Sequence, residues 1–103
     1  MNNNSEAINI INNEDLQQFE YIENNELAVL VYRFYKKDIA FTHTEVPTSM
    51  KGKGIGSALA AYAFDYARRI NKKVMILCPF VGAYLKKHPE LSEQIDKQYR
   101  AGS

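Results

Sequence analysis

The first half of the chain alternates runs of β-branched and aromatic residues with short polar segments. The runs are "QQFEYIE", "LAVLVYRFY" and "IAFTHTEV", and the segments "NNE" and "KKD" separate them. Such runs, bounded by turn-forming residues, are typical of strands. The pattern therefore predicts three antiparallel strands over residues 17–23, 27–35 and 39–46, joined as a meander.

The apolar spacing changes after the third predicted strand. Between residues 54 and 70, apolar side chains recur every three or four positions, which indicates an amphipathic helix. The run "VMILC" predicts a buried strand over 74–78, which Pro79 would end. Two helices, over 81–87 and 91–99, are expected to complete a mixed α/β fold, which consists of an antiparallel meander followed by a parallel β-α-β unit and C-terminal helices.

Length and composition indicate one ordinary globular domain. The chain has 103 residues, enough for a single domain over 1–103. Hydrophobic residues make up 46%, and a formal net charge of +1 gives no reason to expect nucleic-acid binding. One cysteine and two histidines lack metal-ligand spacing. The polar ends "MNNNSE" and "RAGS" are expected to fray.

Targeting and membrane signals are not seen in the sequence. No apolar run approaches the ~20 residues that cross a bilayer, and the start lacks the basic and apolar regions of a signal peptide. We therefore expect a cytoplasmic protein without membrane association.

The predicted order of elements brings distant residues to one edge of the sheet. A strand, a helix and another strand in one sheet normally form a right-handed parallel crossover. Strands 39–46 and 74–78 are expected to be this parallel pair. Their C-terminal ends and the start of the helix then share the edge at which open α/β sheets bind ligands. That edge would carry His43, Glu45 and Cys78.

A glycine-rich loop, "KGKGIG", stands immediately before the predicted helix. The first N–H groups of a helix have no partner within it, and its dipole adds about half a positive charge there. Glycines would let phosphate oxygens approach these groups, and Lys51 and Lys53 add positive charge. The simpler interpretation is a loop that only turns the chain into the helix.

Two familiar phosphate-binding patterns do not fit this loop. A Walker loop needs Gly-Lys followed by Ser or Thr, and "GKGIGSAL" lacks that order. A dinucleotide fingerprint needs G-x-G-x-x-G after the first strand of a parallel unit, whereas these glycines follow three apparently antiparallel strands. A nucleoside triphosphatase and a NAD-binding protein are therefore disfavoured.

The loop and its surroundings resemble the GNAT acyltransferase superfamily. Its coenzyme A signature is Gln or Arg, two residues, Gly, one residue, then Gly or Ala; "KGKGIG" matches it except that Lys51 occupies the first position. The string "HTEVPTSMKGKGIGSALAAYAFDYAR" followed by "CPFVGAYLKKHPE" is similar to small single-domain GNAT-like proteins of plants and animals. The resemblance covers roughly residues 15–92 and implies a minimal acyl-CoA N-acyltransferase fold.

The resemblance also implies where acetyl-CoA would bind. The pantetheine arm would enter between the two parallel strands, the pyrophosphate would lie on the loop amides, and the backbone N–H near Val46 would hold the oxyanion. Tyr84 loosely resembles the tyrosine with which many GNAT enzymes protonate coenzyme A, with packing as the favoured alternative. The cofactor-binding positions expected on this basis are Val46, Lys51, Gly52, Lys53, Gly54, Ile55, Gly56, Ser57, Cys78 and Tyr84.

Three residues are the candidates for catalysis. Cys78 would end the strand beside the thioester, where it could accept the acetyl group, protonate the leaving thiolate or line the pocket; a buried structural cysteine is the alternative. His43 is a candidate general base or activator of the thiol, and Glu45 an alternative base. The alternative for His43 is a structural role, and the alternative for Glu45 is a solvent-exposed position at the end of the strand. Strand alternation predicts that His43 and Glu45 share one face with Ile39 and Phe41.

The function expected from these features is acetyl-CoA-dependent N-acetyl transfer to an unidentified amine. The acceptor could be a small amine, a protein N-terminus or a lysine. Much of the N-terminal helical region that helps a full GNAT domain to bind its acceptor is missing, so the acceptor site is expected to be open, shallow or shared with a partner. The competing interpretation is a noncatalytic module that binds or senses acetyl-CoA or coenzyme A.

Overall fold

The computed structural model describes residues 8–98. The predicted frayed ends, "MNNNSE" and "RAGS", lie outside the described residues. One mixed sheet contains five strands in chain order: β1 Ile11–Asn13, β2 Gln18–Glu23, β3 Glu26–Tyr35, β4 Asp38–Glu45 and β5 Lys73–Ile76. Two α-helices, α1 Ile55–Arg69 and α2 Pro79–Lys87, are accompanied by short 3-10 helices at Thr48–Met50 and Pro89–Gln94.

The predicted meander is confirmed to within one residue at each strand end. Asn24 and Asn25 join β2 to β3 with positive φ at both positions, which is the turn that suits the twist of a two-residue hairpin. Lys36, also at positive φ, opens the two-residue turn between β3 and β4. The structure adds β1, which pairs antiparallel with β2. This strand was not predicted, because its sequence "INN" has no strand pattern.

The parallel crossover is also confirmed, with different boundaries. Strands β4 and β5 pair parallel, and α1 connects them. The prediction that Cys78 ends the second parallel strand is wrong, because β5 ends at Ile76 and Cys78 is the N-cap residue of α2. Pro79 begins that helix, since its fixed φ suits the first helical turn.

The predicted last helix, over 91–99, is wrong in type and extent. The chain forms the 3-10 helix Pro89–Gln94 instead, and Ile95 then makes a parallel bridge with Val74. The backbone N–H of Asp96 donates to the Val74 carbonyl at 3.0 Å. Pairing with the edge of β5 thus overrides the helical pattern; Tyr99 lies outside the described residues.

Both α-helices pack on the same face of the sheet. Phe64 of α1 contacts Phe41 of β4 edge to face, with ring centroids 5.6 Å apart, and stacks on Tyr84 of α2 at 6.2 Å. Further along the sheet, Phe19 stacks on Tyr32 at 4.7 Å. These buried rings form the centre of the core. We call this side of the sheet the helical face and the opposite side the open face.

A β-bulge interrupts strand β4 in the segment that carries the candidate bases. Val31 pairs with His43, but the next residue of β3, Tyr32, pairs with Phe41. Thr42 is therefore an extra residue with no register partner on β3, and its hydroxyl donates to the Val31 carbonyl at 3.3 Å. A bulge of this kind changes which residues of a strand point to each face.

The bulge places His43 and Glu45 on the open face. Thr44 pairs with the fully buried Leu30 and therefore faces the helices, whereas His43 and Glu45 pair with Val31 and Val29 on the other side. The prediction that Ile39, Phe41, His43 and Glu45 share one face is wrong. Strict alternation was assumed across a position where the strand contains one extra residue.

The buried carboxyl group of Asp38 makes stability depend on pH. Burial, together with the hydrogen bond to Asp96 and the charge of Asp96, raises the pKa of Asp38, and its Oδ1 has no hydrogen-bond partner among the described residues. The pKa of Asp96 is lowered, chiefly by its hydrogen bond with Asp38. A carboxyl group with a raised folded-state pKa contributes stability at low pH that is lost as the pH rises through that pKa.

We therefore expect Asp38→Asn to stabilise the protein at pH 7 and to have little effect near pH 4. The amide removes the buried charge and can still donate to Asp96, so a gain of about 1 kcal/mol, or about 4–8 °C in Tm, is expected at neutral pH. Thermal unfolding followed by circular dichroism from pH 4 to 8 measures this. Asp65→Asn is the control with the opposite sign, because Arg69 and Arg68 lower the pKa of Asp65. An equal Tm change at every pH would contradict the assignment.

Candidate functional site

Two glycines of the loop before α1 are required by their backbone conformation. Gly52 and Gly54 have φ values of +81° and +80°, a left-handed region that other residues adopt only with strain. A β-carbon at either position would meet no atom within 4 Å, so packing does not explain them. Gly54 is the N-cap of α1 and offers no side-chain hydrogen bond to the first turn. The loop thus leaves open space beside the helix N-terminus.

A cavity of about 350 Å³ lies at this point, beside the C-terminal end of β4. Seven of the predicted cofactor-binding residues line it: Val46, Lys51, Gly52, Gly54, Ile55, Gly56 and Ser57. Three further lining residues, Thr44, Met50 and Phe80, were not predicted. Met50 and Thr44 lie inside the quoted family motif, but only the bulge and the fold show that their side chains reach the cavity.

The electrostatics of the cavity favour an anion. The first turn of α1 contains no acidic residue, so nothing in that turn neutralises the positive end of the helix dipole. Lys51 lines the cavity, whereas Lys53 is not among the lining residues and forms an ion pair with Glu23 at 2.8 Å. The hydrogen bond between them raises the pKa of Lys53 and lowers that of Glu23. Of the two lysines in the loop, Lys51 is therefore the one that lines the cavity.

Gly56 has a different role from the other two glycines. A β-carbon at this position would lie 2.6 Å from Cζ of Phe80, closer than real contacts allow. The Phe80 ring therefore rests directly on the first turn of α1 and forms one wall of the cavity. We infer that the third glycine of "KGKGIG" provides the space for this ring.

Cys78 reaches the cavity only through Thr44. The thiol of Cys78 donates to Oγ1 of Thr44 at 3.2 Å, and the cysteine is only 4% exposed. Thr44 lines the cavity, and Cys78 is not among the lining residues. The threonine hydroxyl, which accepts from the thiol, keeps its own proton to donate. This pair was not predicted, because only the bulge turns Thr44 toward the helical face.

His43 and Glu45 lie next to each other on the open face. Nε2 of His43 is 3.4 Å from Oε1 of Glu45, and the two side chains are 61% and 74% exposed. They do not share a face with Thr44, the hydrogen-bond partner of Cys78. The next residue, Val46, lines the cavity, so both residues stand beside it on the opposite side of the sheet.

Tyr84 belongs to the packing between the helices. Its ring stacks on Phe64 at 6.2 Å and on His88 at 4.2 Å, and it does not line the cavity. Burial, and then the charge of Glu90, raises the pKa of its phenol. The structure thus places Tyr84 where the packing alternative expects it.

Residues 8–98 contain neither a cluster of metal ligands nor a membrane-spanning helix. Within residues 8–98, no three His, Cys, Asp or Glu side chains come together as metal ligands. No helix in the same range has the length and apolar character needed to cross a membrane.

A parallel crossover whose helix begins with an open, glycine-capped N-terminus is the architecture of a GNAT N-acetyltransferase domain. Residues 18–95 match the model of the family described as GCN5-related N-acetyl-transferase, and the chain belongs to that family.

Individual relatives agree with this assignment. Protein NATD1 of Xenopus tropicalis is 32% identical over 88 residues, which cover 82% of this chain and 81% of that protein. Protein NATD1 of Mus musculus is 35% identical over 66 residues, and there the match spans 60% of the relative's length. The NMR solution structure of a GCN5-like protein from Staphylococcus aureus superimposes with a TM-score of 0.67 at 27% identity, covering 93% of this chain and 97% of the other.

Proposed function

We propose that the protein transfers an acetyl group from acetyl-CoA to an amine. The observation that carries this proposal is the cavity at the N-terminus of α1, in a chain of the N-acetyltransferase family. The free space beside Gly52 and Gly54 fits a pyrophosphate on the loop amides, and Lys51 supplies a matching charge. The end of β4, at Thr44 and Val46, would then face the thioester.

The reaction requires two proton movements that the two faces of the sheet can serve separately. The amine nitrogen forms a bond to the acetyl carbon, the carbon–sulfur bond breaks, one proton leaves the amine and one joins the coenzyme A sulfur. His43 and Glu45 would accept the amine proton from the open face. The backbone N–H of Val46 would stabilise the charge on the carbonyl oxygen.

Thr44 and Cys78 would deliver the proton to the sulfur. Thr44 would donate its hydroxyl proton into the cavity and take another from the Cys78 thiol. Because Cys78 is buried, water in the cavity would later return the proton to it through Thr44. Direct attack by Cys78 is less well supported, because a thiol nucleophile needs an activating base. The side-chain partner of its thiol is the neutral hydroxyl of Thr44, and the candidate base His43 lies on the opposite face.

An NMR titration with acetyl-CoA tests the proposal first. We expect saturable shifts in the amides of residues 51–57, with shifts at Thr44 and Val46 that differ between acetyl-CoA and free coenzyme A. Inorganic pyrophosphate is the control and should affect only the loop. Equal shifts with pyrophosphate, or none with acetyl-CoA, would refute the proposal. Saturable binding without amine-dependent release of free thiol would instead indicate a noncatalytic coenzyme A-binding module.

A further inference from the structure

The open face carries an apolar stripe beside the candidate bases. Ile22 and Leu27 pair across the hairpin, and their side chains point away from the core because the neighbouring pair contains the fully buried Ala28. They are 60% and 43% exposed. Val29 and Val31 continue the stripe along β3 and are partly exposed. Of the described elements, both α-helices pack on the other side.

The apolar stripe is too long to be covered by a small amine. Leu27 and Val31 are four residues apart on one strand, which corresponds to about 13 Å, and Ile22 widens the stripe by one strand spacing of about 4.8 Å. An extended segment of about four residues would cover this length. Contiguous exposed apolar surface of this kind commonly marks a site of interaction with another chain.

At the end of β4, the open face and the cavity side of the sheet differ in charge. Glu45 and His43 pair with Val29 and Val31, so a carboxylate and an imidazole adjoin the stripe. Glu20 pairs with Val29 from the other side, and Asn13 and Gln18 hold its carboxylate at 2.9 and 2.6 Å. Arg33, the next open-face residue of β3 after Val31, donates to the backbone carbonyls of Leu16, Gln17 and Tyr32, so its charge is held at the far end of the stripe. The remaining open-face residues beside the stripe include no lysine or arginine; they are Gln18, Glu20, Ile22, Leu27, Val29, Val31, His43 and Glu45.

This arrangement complements a cation flanked by apolar groups. The cavity side, with Lys51 and the helix N-terminus, suits an anion, whereas the open face offers the exposed carboxylate of Glu45 next to apolar surface. The two sides meet at Glu45 and Val46, which are adjacent residues at the end of β4. An ammonium group at Glu45 would therefore lie next to the cavity.

We propose that the open face binds an extended polypeptide segment whose primary amine lies at His43 and Glu45. Apolar side chains of that segment pack on Ile22, Leu27 and Val29. This inference rests on the proposed function, because it names the acceptor as a polypeptide rather than a small amine. The ammonium first loses one proton to solvent, and the neutral amine then bonds to the acetyl carbon and gives a second proton to His43 or Glu45. The carbon–sulfur bond breaks as Thr44 gives a proton to the sulfur, so coenzyme A leaves as the thiol.

The test compares Ile22→Lys and Leu27→Lys with Leu16→Lys. The first two replace exposed stripe residues by cations, and Leu16 is a comparably exposed leucine at the opposite end of β2. The probes are octapeptides with one free amine flanked by apolar residues, with propylamine as the small acceptor. We expect the peptide KM to rise about tenfold in the two stripe variants, with no change for propylamine or in the Kd of acetyl-CoA. Leu16→Lys should behave as the wild type.

Each outcome of this experiment decides the inference. Peptides acetylated no better than propylamine, or an equal effect of Leu16→Lys, would overturn it while leaving acetyl transfer intact. A concentration-dependent dimer that Ile22→Lys dissociates in sedimentation would assign the face to a second copy and would also overturn it. Failure of the proposed function is distinguishable from both results, because acetyl-CoA would then produce no specific shifts in the NMR titration, or it would bind but release no free thiol with propylamine or with any peptide.

Discussion

Cys78→Ala is expected to lower the rate constant of acetyl transfer about 100-fold while leaving the Kd of acetyl-CoA unchanged. The change removes the thiol that donates to Thr44, and a positioned proton donor typically contributes a factor of this order. The small side chain is buried, so Tm must be measured alongside kcat and the binding constant. Cys78→Ser keeps a donor of similar size at this position and is expected to retain more activity than the alanine variant.

Thr44→Val is the matched test of the proton relay, in which Cys78 passes a proton to Thr44 and Thr44 passes one to the coenzyme A sulfur. Valine keeps the shape of threonine but removes the hydroxyl that joins the thiol to the cavity. Its loss of kcat should equal that of Cys78→Ala, and the double variant should lose no more than either single one, because both changes break one chain of hydrogen bonds. Full activity of Thr44→Val, or an acetylated Cys78 detected by mass spectrometry during turnover, would contradict the relay and favour a nucleophilic cysteine.

Gly56→Ala is expected to weaken acetyl-CoA binding at least about tenfold with only a small change in Tm. The added methyl group cannot coexist with Cζ of Phe80 at 2.6 Å, so the ring must leave the first turn of α1 and alter the wall of the cavity. Alanine is otherwise favourable inside a helix, by about 0.5–1 kcal/mol over glycine. Isothermal titration calorimetry with acetyl-CoA measures the expected loss of affinity.

Gly82→Ala supplies the control for this variant. Gly82 lies in α2, and a β-carbon there would only reach ordinary contact with Ile76 at 3.9 Å. This variant should bind acetyl-CoA as the wild type does. In the Gly56→Ala background, Phe80→Ala should restore part of the affinity because it removes the clash. If the double variant binds no better than Gly56→Ala alone, the clash with Phe80 is not the cause of the loss.

Local sequence patterns determined most of the scaffold. The strands of the meander and the main helix follow from periodicities of two and of three to four residues, which depend only on neighbours along the chain. The turn residues Asn24 and Asn25 likewise specify the β2–β3 hairpin through their own backbone preferences. The loop "KGKGIG" could be located before any fold was available, because glycine is the residue that adopts a left-handed backbone at the lowest cost, and this preference does not depend on distant contacts.

The arrangement of the candidate catalytic residues was decided by tertiary structure. One unpaired residue, Thr42, turns Thr44 toward Cys78 and places His43 on the open face, and a bulge is specified by pairing with β3 rather than by the strand's own pattern. The reason for Gly56 lies in Phe80, which is 24 positions away in sequence. The sequence by itself determined the elements and the loop, whereas contacts between distant segments decided which side chains meet, because those contacts have no signature in local spacing.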